Sequence, residues 1–457
     1  MNLAFLRPTL HPRAAALLFV LLGCGRLVAQ DAEVNYFDNT YVDHIKTVRL
    51  HIDGFPHSYP LIELGGGARL RLSFDDLRED VGRYSYSFIH CNQDWTPSTL
   101  GQMEYNSGYG NDYLEDYDFS LRTLTKYVHY DLVFPNRNMR LEKSGNYLLV
   151  VYDTQDDNQP VITRRFMVAE NVAGLSAQVT RPNAVDKIRT HQEVQLVANT
   201  KQLQPRSPLQ ELSASVLQNG RWDNAVTGIR PNLLAREGVQ FNYQDVIVYR
   251  GGNEFRNLDL RSVQAPRSKV ASITNEGNYY AMLLAPEMTR GSSVYVQYFD
   301  LNGDYVNFRY DRPVVNLADE FLQENVARFG LDFTGEYIEV TFVLKPRNGV
   351  PIEEDLYLFG AMTEWQLKYD YRMVWNTSIN AYVGRALIKQ GFYNYYYVTD
   401  LSTSGRKLQR PGDRAGYDET EDSFTEAEND YLGLLYYRPM GGRYDRLVGT
   451  TTINSNQ

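Results

Sequence analysis

One pattern constrains this chain more than any other: a polar residue, a glycine, any residue, then a tyrosine that opens a β-rich run. It occurs three times, as Ser144, Gly145, Asn146, Tyr147, as Glu276, Gly277, Asn278, Tyr279, and as Gln390, Gly391, Phe392, Tyr393. Glycine tolerates the positive φ that a tight entry into a strand often needs, and aromatic or β-branched runs fit a pleated, half-buried surface. In immunoglobulin-like sandwiches a tyrosine at such a corner lays its ring on the core and returns its hydroxyl to nearby backbone. The copies lie roughly a domain apart, which predicts three β-domains in a row.

With 457 residues, 43% of them hydrophobic, the chain can bury several cores, and its length alone suggests about three domains. Strand after strand alternates apolar with polar: Ile45, Thr47, Val48, Leu50 and Ile52, then Leu70, Leu72 and Phe74, then Tyr84, Tyr86 and Phe88. Between 92 and 118 we expect a long loop. The expected fold class is all-β, as tandem immunoglobulin-like, early-set-like sandwiches over 31–173, 174–316 and 317–457. Val294 to Phe299 and Tyr305 to Tyr310, joined by Asn302 and Gly303, form the clearest predicted hairpin. Asp319 should cap a short linker helix with Phe321, Leu322 and Val326 on one face. The acidic stretch 403–430 reads as a mobile loop.

Net charge is -10, which argues against a nucleic-acid partner, since such binders carry a basic stripe. Residues 1–30 read as a signal peptide: Arg7, His11 and Arg13 precede the apolar run 14–22, and small residues lead to Val28, Ala29 and Gln30. That run is too short to span a bilayer, and no later stretch is a transmembrane candidate. Leu21, Leu22, Gly23 and Cys24 resemble a lipobox with Cys24 as lipid anchor, but Leu22 is bulky for that motif, and cleavage near Ala29 or Gln30 is favoured. With Cys24 removed, Cys91 has no partner for a disulfide within the chain.

No catalytic, cofactor or metal set emerges. His90 and Cys91 are adjacent on a strand and point to opposite faces, so the imidazole is poorly placed to activate the thiol. Asp300, Asn302, Gly303 and Asp304 resemble the start of a calcium loop but lack the downstream bidentate glutamate, and the hairpin reading is preferred. The acidic pairs Asp75 with Asp76 and Glu353 with Glu354 read as solvated faces or turns rather than glycosidase acids. The segment 357–365 with the third glycine–tyrosine strand resembles starch- and glycogen-binding modules of the early-set group, in which Trp365 would stack on a sugar. Glu364 stands where those modules usually carry asparagine, and packing of Trp365 at a sandwich edge is favoured.

Taken in order, several segments resemble the type IX secretion system plug protein family: Leu72 to Leu77, Tyr84 to Trp95, Ser144 to Tyr147, Arg164 to Val168, Gln218 to Trp222, Gly251 to Arg256 and Lys389 to Tyr395. The resemblance runs over about 41–444. It implies a periplasmic protein without catalytic residues that docks on the outer-membrane barrel of the type IX translocon and closes its pore when no cargo or shuttle subunit is engaged. It assigns no interface residues.

Overall fold

Where apolar and polar residues alternate, a strand turns one face to a core, and Leu70, Leu72 and Phe74 do so in the strand Leu70–Asp76. The computed structural model describes residues 34–309, 332–405 and 407–456. Leu70–Asp76 lies between Ile45–Ile52 and Val128–Phe134 in a four-stranded antiparallel sheet. A second sheet is built on Gln159–Ala169, Gly145–Asp153 and Tyr84–Cys91. The two enclose a core rich in rings, with Phe74 stacked on Tyr130 at 5.0 Å and Tyr147 on Phe166 at 5.1 Å. Gly145–Asp153 is covered on both faces: Tyr147, Leu149 and Val151 face this core, while Leu148 and Val150 pack with Cys91 and Trp95.

A second sandwich pairs Gly174–Thr180, His191–Asn199 and Gly238–Phe241 in one sheet and Val226–Ile229, Leu212–Gln218, Asp430–Tyr437 and Arg446–Asn454 in the other. The C-terminal hairpin therefore completes the second body: Leu212 sits opposite Tyr437 and Gln218 opposite Tyr431. The described residues among 256–416, which lie between those strands in sequence, form the third body. It is one long sheet, from Arg256–Asp259 through Phe392–Asp400 and Tyr337–Lys345 to Val270–Asn275, folded over so that Tyr393, Tyr395 and Tyr397 share a core with Ile338, Val340 and Phe342. This corrects the expected boundary between 316 and 317. A strictly sequential division could not anticipate that a strand at 430 pairs with one at 212.

The glycine–tyrosine copies also distribute differently. The Tyr147 hydroxyl donates to the Lys143 carbonyl at 2.8 Å and the Tyr393 hydroxyl to the Lys389 carbonyl at 2.6 Å, the same return over four residues. Gly145 has φ 135°, whereas Gly391 is needed for space, since a Cβ there would lie 2.4 Å from the Val306 carbonyl oxygen. The copy at Tyr279 is a hairpin turn between Val270–Asn275 and Tyr280–Leu284 in the third body, so the second sandwich has no copy.

Three further expectations are corrected. Residues 294–299 form no strand, and of the described residues in 305–310 only Tyr305–Val306 pairs, with Phe392–Asp400, so the predicted pairing of 294–299 with 305–310 is not seen among the described residues; Tyr310 lies outside them. The stretch 92–118 contains the helical turn Gln102–Tyr105 and the strands Asn106–Gly108 and Asp112–Tyr113. The acidic stretch 403–430 is anchored, because Glu421 is wholly buried between Arg256 and Arg290. The signal region with Cys24 and the linker helix at 319–326 lie outside the described residues.

Candidate functional site

Asp75 and Asp76 end a strand, where solvation is the ordinary expectation, yet both are fully buried. Alternation sends them to opposite faces. Asp76 stays within the first sandwich, accepting from Arg78 at 2.9 Å and from the Tyr84 hydroxyl at 2.7 Å. Asp75 faces the third body: Lys389 Nζ lies 2.7 Å and the Tyr337 hydroxyl 2.6 Å from Oδ2, and His129 Nδ1 lies 2.6 Å from Oδ1. Burial alone would raise the Asp75 carboxyl, but Lys389 and His129 hold it below the usual range. Burial opposes a charged His129 as well, and Asp131 and Asp75 overcome it, raising the imidazole to about 9. An ion pair this dry persists only where other groups satisfy the remaining donors and acceptors, as Tyr337 does here.

Further contacts close the same junction. Arg164 of the first sandwich pairs with Glu364 of the third, which also accepts from Thr40 at 2.5 Å and pairs with Lys368. Burial acts to raise Glu364, but Arg164 and Lys368 bring it down to about 2. The Glu336 carboxylate accepts the Leu124 and Thr125 amides at 2.6 and 3.0 Å, and Arg49 reaches Asp304 at 3.3 Å. Between the first and second sandwiches the Tyr436 hydroxyl donates to Asn146 Oδ1 at 2.8 Å, and Met167 and Ala169 pack with Leu434 and Leu447. The described residues from 34 onward form one compact unit.

These contacts surround an open cleft of about 910 Å³ to which all three bodies contribute, with Arg49 and His57 from the first, Asn219 and Asp430 from the second, and Asn302 and Asp304 from the third. Beside it, Glu254, Asp300 and Glu428 each offer a carboxylate oxygen within 4.8 Å of the others. Asp300 accepts the Phe255 amide at 2.5 Å and the Asn302 amide at 2.6 Å, and the Tyr295 hydroxyl donates to Glu254. No lysine or arginine pairs with any of the three among the described residues. Burial, and then the neighbouring Glu254 and Glu428, push the Asp300 carboxyl well above its ordinary value. Asp304 turns away toward Arg49 and His57, so Asp300 and Asp304 do not converge as a calcium loop would.

The remaining residues singled out in the sequence sit apart. Cys91 is enclosed with Trp95, Leu148 and Val150, and burial pushes its thiol up to about 12. His90 Nε2 lies 3.0 Å from the Ser144 carbonyl oxygen, and burial lowers the imidazole to about 4. Neither group is poised for nucleophilic chemistry. The Arg221 guanidinium lies 4.4 Å over the Trp365 ring, whose edges meet Phe255 and Phe359 at 6.0 and 5.4 Å. Glu353 is exposed and Glu354 half-buried, well separated in role from Asp75. Sequence reasoning missed the junction residues His129, Lys389 and Tyr337. The available signal was a lysine on the inward register of an apolar strand, since a charge at such a position must be paired.

Among the described residues no helix is long and apolar enough to cross a membrane. No curated protein matches the chain. A solved structure of a hypothetical protein from Parabacteroides merdae ATCC 43184 is 29% identical, with a TM-score of 0.81 over 92% of this chain and 100% of that one. Native alpha-2-macroglobulin from Escherichia coli, spanning domains NIE-MG1, is 13% identical over 45% of this chain and 91% of that one, and its TM-score of 0.16 carries no argument. Residues 45–170 match the family model described as the Type 9 secretion system plug protein 1st domain, a span that holds the first sandwich with Asp75 and His129. That match supports a type IX secretion system plug protein family for this chain.

Proposed function

We propose that this protein is a periplasmic plug that docks on the outer-membrane barrel of the type IX translocon and closes its pore when no cargo or shuttle subunit is engaged. The observation that carries the reading is the match of residues 45–170 to the first domain of the plug family. The physics supports it. A barrel of many strands leaves an aqueous lumen, which breaches the membrane if left open. A sandwich of about 130 residues is roughly 35 Å across by compactness scaling, enough to obstruct a wide mouth. A plug must also resist deformation, and the buried Asp75–Lys389 pair with the Arg164–Glu364 pair ties the first sandwich to the third. Occlusion requires fit and bulk, with no bond made or broken. The amino-terminal signal-like stretch supports export, and the absence of a basic stripe in a chain of net charge -10 supports a protein partner over nucleic acid.

Deleting the gene tests this directly. Cells that hold the translocon barrel should become permeable to large antibiotics, and removing the barrel as well should restore the seal. Leakiness that persists without the barrel contradicts the reading.

A further inference from the structure

The sequence Val294, Tyr295, Val296, Gln297, Tyr298, Phe299 has the strongest strand character in its region, yet it joins no sheet among the described residues. None of its amides or carbonyls makes a hydrogen bond among the described residues. The hydroxyls of Tyr295 and Tyr298 anchor it, the first donating to the Glu254 carboxylate and the second, on a ring that stays 36% exposed, to the Phe255 carbonyl at 2.9 Å. Arg290 Nη1 donates to the same Tyr298 hydroxyl at 3.0 Å. Val294, Val296 and Phe299 turn outward and are 87%, 64% and 85% exposed. The segment is thus held by two tyrosine hydroxyls, with the side chains of Val294, Val296 and Phe299 exposed and its backbone groups unpaired among the described residues.

Natural edges of this kind are usually blunted by lysine, proline or a bulge, because an open row of backbone groups invites another strand. Val294 to Phe299 carries none of these. The charge beside it says what kind of strand fits. The segment ends at Asp300, next to Glu254 and Glu428, and among the described residues no cation pairs with the three carboxylates. Asp430 adds a further carboxylate to the adjoining cleft wall.

We propose that residues 294–299 and the acidic mouth beside them are a docking edge for an extended, basic segment of the translocon, which adds alongside as a strand and directs lysine or arginine toward Asp300 and Glu428. Main-chain hydrogen bonds supply the attachment in this mode, Val294 and Val296 lie on one face of the paired strand and Phe299 on the other, and the charge sets its direction. The identity of the partner rests on the plug reading; the edge itself rests on the geometry above.

Site-specific photocrosslinking of the full chain in cells that hold the translocon tests it, with a photoreactive phenylalanine analogue at 294, 296 or 299 and, as controls, at the exposed Met103 and Val185. The expected result is a crosslink from 294, 296 and 299 to one extended, lysine- or arginine-containing segment of the barrel, identified by peptide mass spectrometry. Val296→Asp combined with Phe299→Asp, both solvent-facing changes that leave the melting temperature unchanged, should reduce the yield from 294 about tenfold or more. Crosslinks to the barrel from Met103 or Val185 with none from 294–299 overturn the docking edge and leave the plug reading intact. No crosslink to the barrel from any position contradicts both. Crosslinks from 294–299 to this chain itself, to a second copy or to an acidic or helical segment overturn the proposal.

Discussion

Two buried acidic groups in this molecule are treated in opposite ways. At Asp75 a lysine, a histidine and a tyrosine hydroxyl converge within 2.7 Å, and the carboxylate ties two bodies together. At Asp300 the neighbours are two more carboxylates and two backbone amides, and the group stands at the edge of an open cleft. Compensated charge in a dry junction resists separation, while uncompensated charge beside an open surface favours the arrival of something cationic. The same chemistry thus gives a fixed internal joint in one place and an unfilled electrostatic demand in the other.

The largest effect is expected from breaking the first group. Lys389→Met leaves Asp75 buried with a single cationic partner and should lower the unfolding free energy by about 3–5 kcal/mol, read by denaturant titration. Adding Asp75→Leu to the same variant should recover much of that loss, because an apolar pair needs no compensation. Equal loss in the single and double variants would show that packing, rather than charge, holds the junction.

A pH titration separates the groups next. His129 is raised from 6.5 to about 9, so its contribution is complete below pH 6.5 and disappears as pH rises through about 9. Its expected size is about 3 kcal/mol, and His129→Gln should flatten that limb of the stability profile. Asp300 runs the other way. Its folded value lies above 3.8, so ionising it costs stability as pH rises from there toward neutrality. Asp300→Asn should flatten this decline and stabilise the protein at pH 7.5 by about 1–2 kcal/mol. A destabilised Asp300→Asn variant would mean that the amides of Phe255 and Asn302 compensate the charge fully.

The smallest effect marks the baseline. Arg372 and Asp355 also pair, at 2.6 Å, but both are solvent-exposed. Arg372→Ala should change stability by about 0–1 kcal/mol, as screened surface pairs do.

How far the chain could be read without coordinates follows the same division between local and distant. Period-two alternation identified strands such as Ile45–Ile52, Tyr84–Cys91 and Tyr337–Lys345 within a residue or two, because that signal is local. The closure of the second sandwich by Asp430–Tyr437 was hidden, since nothing in Leu212–Gln218 states how distant its partner is. Val294 to Phe299 misled for a different reason: β-propensity describes what a segment can pair with, and no described residue pairs with it here. The junction was half visible. Asp75 and Lys389 both fall in segments that resemble the plug family, but their meeting across 314 residues of sequence depends on packing alone.

The central claim is occlusion, and single-channel conductance tests it most directly. The purified translocon barrel, reconstituted in a planar bilayer, should show a large conductance that falls toward zero when this protein is added to the periplasmic side. An unchanged conductance at protein concentrations that saturate binding to the barrel would contradict the account.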